Sequence, residues 1–185
     1  MNTTDEIQAR SVRLIDDQGR TRISLSAGDR AEPSLVFYDA GGRERMAIEL
    51  QANGMPSIIL GDQEHNARMV IQTLPDGSPC ICQMDSSGVG RAVISLADQD
   101  SPELHLTDAD GQIRVGLGVL PSGSPALSLF DANGQFRAGF NVLMDGSPGL
   151  SLHDHNGATR ISVDVLADGS PGVVFLDEQG QEVPI

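Results

Sequence analysis

A handful of residues depart from an otherwise regular pattern and could carry chemistry: His65, Cys80, Cys82, His105, His153 and His155. Cys80-x-Cys82 with His105 offers three soft ligands to a zinc ion, one short of a closed tetrahedral site. His153-Asp154-His155 offers two imidazoles, but adjacent strand and loop positions diverge and no third ligand is spaced to join them. Asp108-Ala109-Asp110-Gly111 opens like a calcium loop, yet the twelfth position, where an EF-hand carries its bidentate Glu, is Val119. The third position of the equivalent turns is Gln18, Gly41, Ser87, Asn133, Asn156 and Gln179, a freedom that a turn permits and a ligand does not. No phosphate-binding glycine loop, dinucleotide fingerprint or nucleophile elbow is present. The chain has no Lys, so lysine catalysis is excluded. The expectation is no cofactor, no metal and no catalysis.

What must position any such residue is a 23-residue repeat. Proline recurs at Pro33, Pro56, Pro79, Pro102, Pro125, Pro148 and Pro171, and aspartate in the same register from Asp16 to Asp177. Glycine follows each aspartate by three residues, except that His65 replaces one. Arginine forms a third column at Arg22, Arg45, Arg68, Arg91, Arg114, Arg137 and Arg160. A fixed period of this length signals a repeat architecture. The chain divides into an N-terminal cap segment (1–9), seven repeats (10–170) and a C-terminal half repeat or cap (171–185). Pro184 is expected to end strand pairing at one edge, and the acidic Asp5 and Glu6 to blunt the other.

One unit shows how the repeat folds. Leu127 and Leu129 alternate with Ala126, Ser128 and Phe130, which is the period of a strand. Asp131-Ala132-Asn133-Gly134 is a turn: Asp bonds backbone amides ahead of it, and Gly supplies positive φ. His65 suits the same position, since His is enriched among non-glycine residues with φ > 0. Ala138, Phe140 and Val142 mark a second strand, and Met144-Asp145-Gly146-Ser147-Pro148 a second turn. A four-residue first loop sets Phe130 opposite Gln135 and Leu127 opposite Ala138, with the leucines on the face of Ala138, Phe140 and Val142. The other face of the second strands carries small or slim residues, Ala47, Val70, Val93, Gly116, Gly139 and Ser162. They leave room for another layer, from this chain or from a partner, or else a thinly decorated surface.

Composition narrows the function classes. Aromatics are 3% of the 185 residues, so the core is expected to be aliphatic. Acids outnumber bases 26 to 12, a net charge of −14 that argues against nucleic acid and anionic membrane surfaces. No apolar run approaches the ~20 residues of a membrane helix, and the start lacks the features of a signal peptide. Cys80 and Cys82 lie two apart on one strand, too far for the usual disulfide, so free thiols and a cytoplasmic setting are expected.

Two assemblies fit the all-β pattern: a coiled antiparallel hairpin meander, favoured by the specific turn chemistry, or a β-solenoid with one repeat per coil. Tyr38-Asp39-Ala40-Gly41-Gly42-Arg43 and Phe130-Asp131-Ala132-Asn133-Gly134-Gln135 resemble the turn core of the YD (Rhs) repeats of bacterial β-hairpin proteins. The 23-residue period resembles that of MORN repeats, whose tyrosine, tryptophan and glycine pattern is absent. The Asp-x-x-Gly-x-x-Arg array is also similar to arrays in uncharacterised bacterial proteins. These resemblances imply hairpins and carry over no activity and no site residues.

The expected function is that of a non-enzymatic structural or interaction protein, whose rigid repeat surface self-associates or docks on a protein partner. The alternatives are a ligand-binding module for carbohydrate or a divalent cation, and, behind it, an enzyme. The expected contact residues are Arg45, Arg68, Arg91, Arg114, Arg137 and Arg160, on the face away from the aliphatic side chains. On that expectation, replacing Arg91 and Arg114 weakens association and spares stability; loss of the fold would make the arginines internal braces.

Overall fold

The computed structural model describes residues 7–28, 32–97 and 100–184. Residues 1–6 of the expected N-terminal cap, Asp5 and Glu6 among them, and Ile185 lie outside the described residues. The protein is all-β, with fifteen strands among the described residues in an antiparallel meander whose strand order is the sequence order. No solenoid coil forms, because strands joined by a turn are also the strands that hydrogen-bond.

The chain forms two compact units, Met1–Gly88 and Val89–Ile185. The first holds β1 (Ser11–Ile15), β2 (Thr21–Ser26), β3 (Ser34–Tyr38), β4 (Glu44–Leu50), β5 (Pro56–Gly61), β6 (Ala67–Thr73) and β7 (Pro79–Met84). The second holds β8 (Gly90–Ala97), β9 (Ser101–Thr107), β10 (Ile113–Val119), β11 (Pro125–Phe130), β12 (Phe136–Val142), β13 (Pro148–His153), β14 (Thr159–Val165) and β15 (Pro171–Phe175). Proline opens five of these strands, where its missing N–H costs no ladder bond. Beyond β15, Val183 N–H donates to the Phe175 carbonyl and Leu176 bridges Glu182, closing a last small hairpin before Pro184.

Both kinds of turn close the same way. In the first, Asp131 N–H donates to the Gln135 carbonyl (2.9 Å) and Gly134 N–H to the Asp131 carbonyl (3.0 Å). Asp131 Oδ1 also accepts from the amides of Asn133 (2.9 Å) and Gln135 (3.1 Å). In the second, Leu143 N–H donates to Ser147 and Gly146 N–H to Leu143, both at 2.9 Å. Gly134 and Gly146 take φ of 74° and 87°, the left-handed residue that follows a type I turn in a hairpin. His65 holds the same position at φ 69°.

The register differs from that of the expected four-residue loop in two respects. Asp131 and Gln135 close a shorter, three-residue loop, so Phe130 pairs with Phe136, one residue beyond its expected partner, and Arg137 is skipped in the ladder, so Leu127 pairs with Phe140, two beyond. Arg22, Arg45, Arg68, Arg114 and Arg160 are skipped in the same way in their own hairpins. Each is the extra residue of a β-bulge. The slip is even, so the leucines still share a face with Ala138 and Phe140.

The expected aliphatic core is not there. No large side chain is fully buried among the described residues, and the buried apolar ones are Val36, Val70, Cys80 and Cys82. These lie on the face of small residues: Val36 pairs with Ser24 and Ala47, and Val70 with Ile59 and Cys82. The leucine–isoleucine face is left open, because each unit is a single sheet layer with no second layer packed on that side.

The turns make a paired prediction. Gly134→Ala, which meets no atom within 4 Å but must hold φ 74°, lowers unfolding free energy by about 1 kcal/mol. His65→Gly raises it by up to about 1 kcal/mol, as the left-handed strain goes. Urea titration of the two variants measures both signs.

Candidate interaction surface

The arginine column is the most regular polar feature of the structure. Arg22, Arg45, Arg68, Arg91 and Arg114 each donate Nε–H to the backbone carbonyl sixteen residues on: Tyr38, Gly61, Met84, Thr107 and Phe130, at 3.0–3.2 Å. Arg137 and Arg160 instead donate Nη1–H to the carbonyls of Asp154 and Asp177. The same guanidinium groups reach back to the aspartate six residues earlier: Arg22–Asp16 3.6 Å, Arg45–Asp39 3.8 Å, Arg68–Asp62 and Arg114–Asp108 3.3 Å, Arg137–Asp131 3.7 Å, and Arg160–Asp154. Each arginine therefore joins the turn of its own hairpin to the entry of the next turn. A bulge re-aims the side chain it carries, which is what this reach requires. The guanidinium side chains in these pairs are 24–44% exposed, so each ion pair alone contributes little. The bond to a carbonyl adds a charge-assisted component.

The face of small residues is filled from within the chain. A Cβ on Gly139 would lie 2.6 Å from Phe136 Cζ, and one on Gly149 would lie 2.5 Å from Asp164 Oδ1. Phe136 packs edge-on against Phe130 (5.9 Å) and His153 (4.7 Å). The layer these glycines admit is the chain's own side chains. A depression of about 170 Å³ remains over Gly116 and Gly118, beside Glu103, His105 and Phe130.

The other face is different in kind. Cross-strand partners on it run Leu14–Ile23–Phe37–Met46–Leu60–Met69 in the first unit and Leu104–Leu117–Leu127–Phe140–Leu150–Val163–Val173 in the second. Among the described ladder positions of this face, only Thr73 and Gln83 are polar, and none is ionisable. Many of its side chains stay open: Ile94 is 53% exposed, Leu117 49%, Phe140 51% and Val173 52%. Alternation in the sequence revealed which residues share this face. It could not reveal that, among the described residues, nothing lies over them.

Several of the chemistry candidates have defined surroundings within the fold. His153 bonds the Gly157 carbonyl (3.2 Å) and Ser151 Oγ (3.0 Å) through its two ring nitrogens. His105 lies 3.4 Å from Glu103. Cys80 and Cys82 are buried free thiols, and burial pushes both up from the usual thiol range, so they are held as neutral thiols. No group of three or more His, Cys, Asp or Glu among the described residues is placed to hold a metal ion. No helix of the described residues is long and apolar enough to cross a membrane. No protein-family model matches the chain, and no curated protein matches its sequence.

Two predictions follow from the braces. Asp108 and Asp131 are held below the usual carboxylate range, chiefly by the amides of Gln112 and Gln135, against a desolvation that raises them and with help from nearby arginines. A carboxylate with a depressed folded pKa contributes stability above its unfolded pKa of about 3.9 and loses it as pH falls through the folded value. The melting temperature should thus be flat near neutrality and fall below about pH 4, with a shallower fall in Asp108→Asn. Arg114→Ser should lower stability by about 1 kcal/mol, taken from its bond to the Phe130 carbonyl and discounted for 38% exposure. Chemical denaturation checks the value; no change would remove the bracing role.

Proposed function

We propose that this chain is a non-enzymatic interaction protein whose contact surface is the aliphatic face of its repeat sheet. One observation carries the reading. A face whose described ladder positions are apolar except for Thr73 and Gln83, and include no ionisable side chain, stands open to solvent. Ordinary monomers rarely expose contiguous apolar patches beyond a few hundred Å², and larger ones mark contact sites. The Nε–H donors of Arg45, Arg68, Arg91 and Arg114 are engaged within the hairpin stack, which favours the aliphatic face over the arginine face as the proposed contact. A cytoplasmic setting belongs to the same reading, supported by two unpaired thiols.

Radical footprinting tests it without identifying a partner. The chain is labelled in the native extract and again after purification at nanomolar dilution. Leu117, Phe140 and Val163 should be protected in the extract relative to the diluted chain, while the turn residues Ala132 and Asn133 label equally in both. Equal labelling of the aliphatic face in the two samples would overturn the reading.

A further inference from the structure

Resting on that reading, we infer that the occupant of the aliphatic face is a second copy of this chain, packed sheet on sheet. The second unit alone supplies enough surface. Eleven side chains on its aliphatic face, among them Ile94, Leu117, Phe140, Val163, Val165 and Val173, remain at least 37% exposed. At about 70–80 Å² each, that is roughly 800 Å², the area one partner contributes to a standard specific interface. It also exceeds the ~300–600 Å² of the largest patch on a typical monomer.

Composition points to a like partner rather than an unlike one. Interfaces between independently soluble proteins are about as polar as the rest of their surfaces and depend on Trp, Tyr and Arg anchors. Homodimer interfaces are more apolar and resemble a domain core cut in half. This face has no Trp, no Tyr and no Arg among the ladder positions of the second unit. Its rows of Leu, Ile and Val recur at strand spacing, so a second copy presents the same corrugation. Two such faces can interdigitate about 10 Å apart, with strands inclined by about 30°, as packed sheets do. Charge does not oppose the contact locally, since no ionisable side chain would be desolvated. The same patch on both copies also closes under a two-fold axis.

The test is sedimentation of the full chain at micromolar concentration, with footprinting of the same samples. The expected result is a dimer in which Leu117, Phe140 and Val163 gain protection over the nanomolar sample. Combining Leu117→Lys with Phe140→Lys should raise the dissociation constant by about a hundredfold or more with an unchanged β circular dichroism signal. The charge-matched turn variant combining Ala132→Lys with Gln135→Lys, both exposed positions, should stay dimeric. If the double variant loses its fold, the concentration-dependent footprint of the unaltered chain decides by itself. A chain that stays monomeric throughout the micromolar range overturns self-pairing; protection in the native extract would then assign the face to an unlike partner. A dimer that leaves Leu117 and Phe140 fully labelled also overturns it, because the copies would meet elsewhere.

Discussion

An arginine carried on a β-bulge is the constraint on which the repeat depends. In the hairpins β11–β12 and β13–β14, Arg137 and Arg160 sit six residues after Asp131 and Asp154 and donate to the carbonyl of the next turn's aspartate. One side chain thus has to meet a carboxylate behind it and a carbonyl ahead of it. Adding or removing one residue between them would break the bulge, the turn or the reach, and would turn every later side chain to the wrong face. This gives a physical reason for a 23-residue period that never varies. Each contact is modest and partly exposed, so the order comes from repetition along the stack, as in other arrays whose units contact only their neighbours.

The same bulge determines which face is finished. Phe136 precedes the bulged Arg137 and turns toward Phe130, over Gly139, where a Cβ would collide with it. That face needs small residues because the chain's own larger side chains cover them. Among the described residues, nothing packs over the opposite face. An aliphatic side chain left half exposed forgoes about half of the roughly 1.5–3 kcal/mol that full burial would contribute. Val36 and Val70, at 8% exposure, obtain most of it; Leu117 and Phe140, near 50%, do not.

Strand positions, turn chemistry, the left-handed His65 and the strand-opening prolines were legible in the sequence, because alternation and φ preference act over a few residues. The bulges were not. A bulge combined with the shorter turn shifts register by an even number, so the pattern of faces is the same with or without the pair. The invariant arginine was the available sign, but its column fits an exposed contact surface as readily as a brace. The aliphatic core was misread for a related reason. Periodicity says that Leu127, Leu129 and Phe140 face one way and is silent on what lies over them, so an aliphatic stripe was equated with a core.

Net charge bears on how a face so apolar stays available without causing indiscriminate association. The chain has a net charge of −14, and among the described residues its ionisable side chains lie away from the aliphatic ladders, in the turns and on the other face. The first turns hold aspartates largely matched by the arginine column, whereas Asp76, Asp145 and Asp168 of the second turns bond only serine and backbone groups nearby. Repulsion between acidic chains is screened within about 8 Å at physiological ionic strength. It resists loose approach from arbitrary directions but acts weakly on two uncharged faces already in contact. On the proposed reading, a partner must then match the corrugation of the face to offset that repulsion, and shape complementarity becomes the selective element.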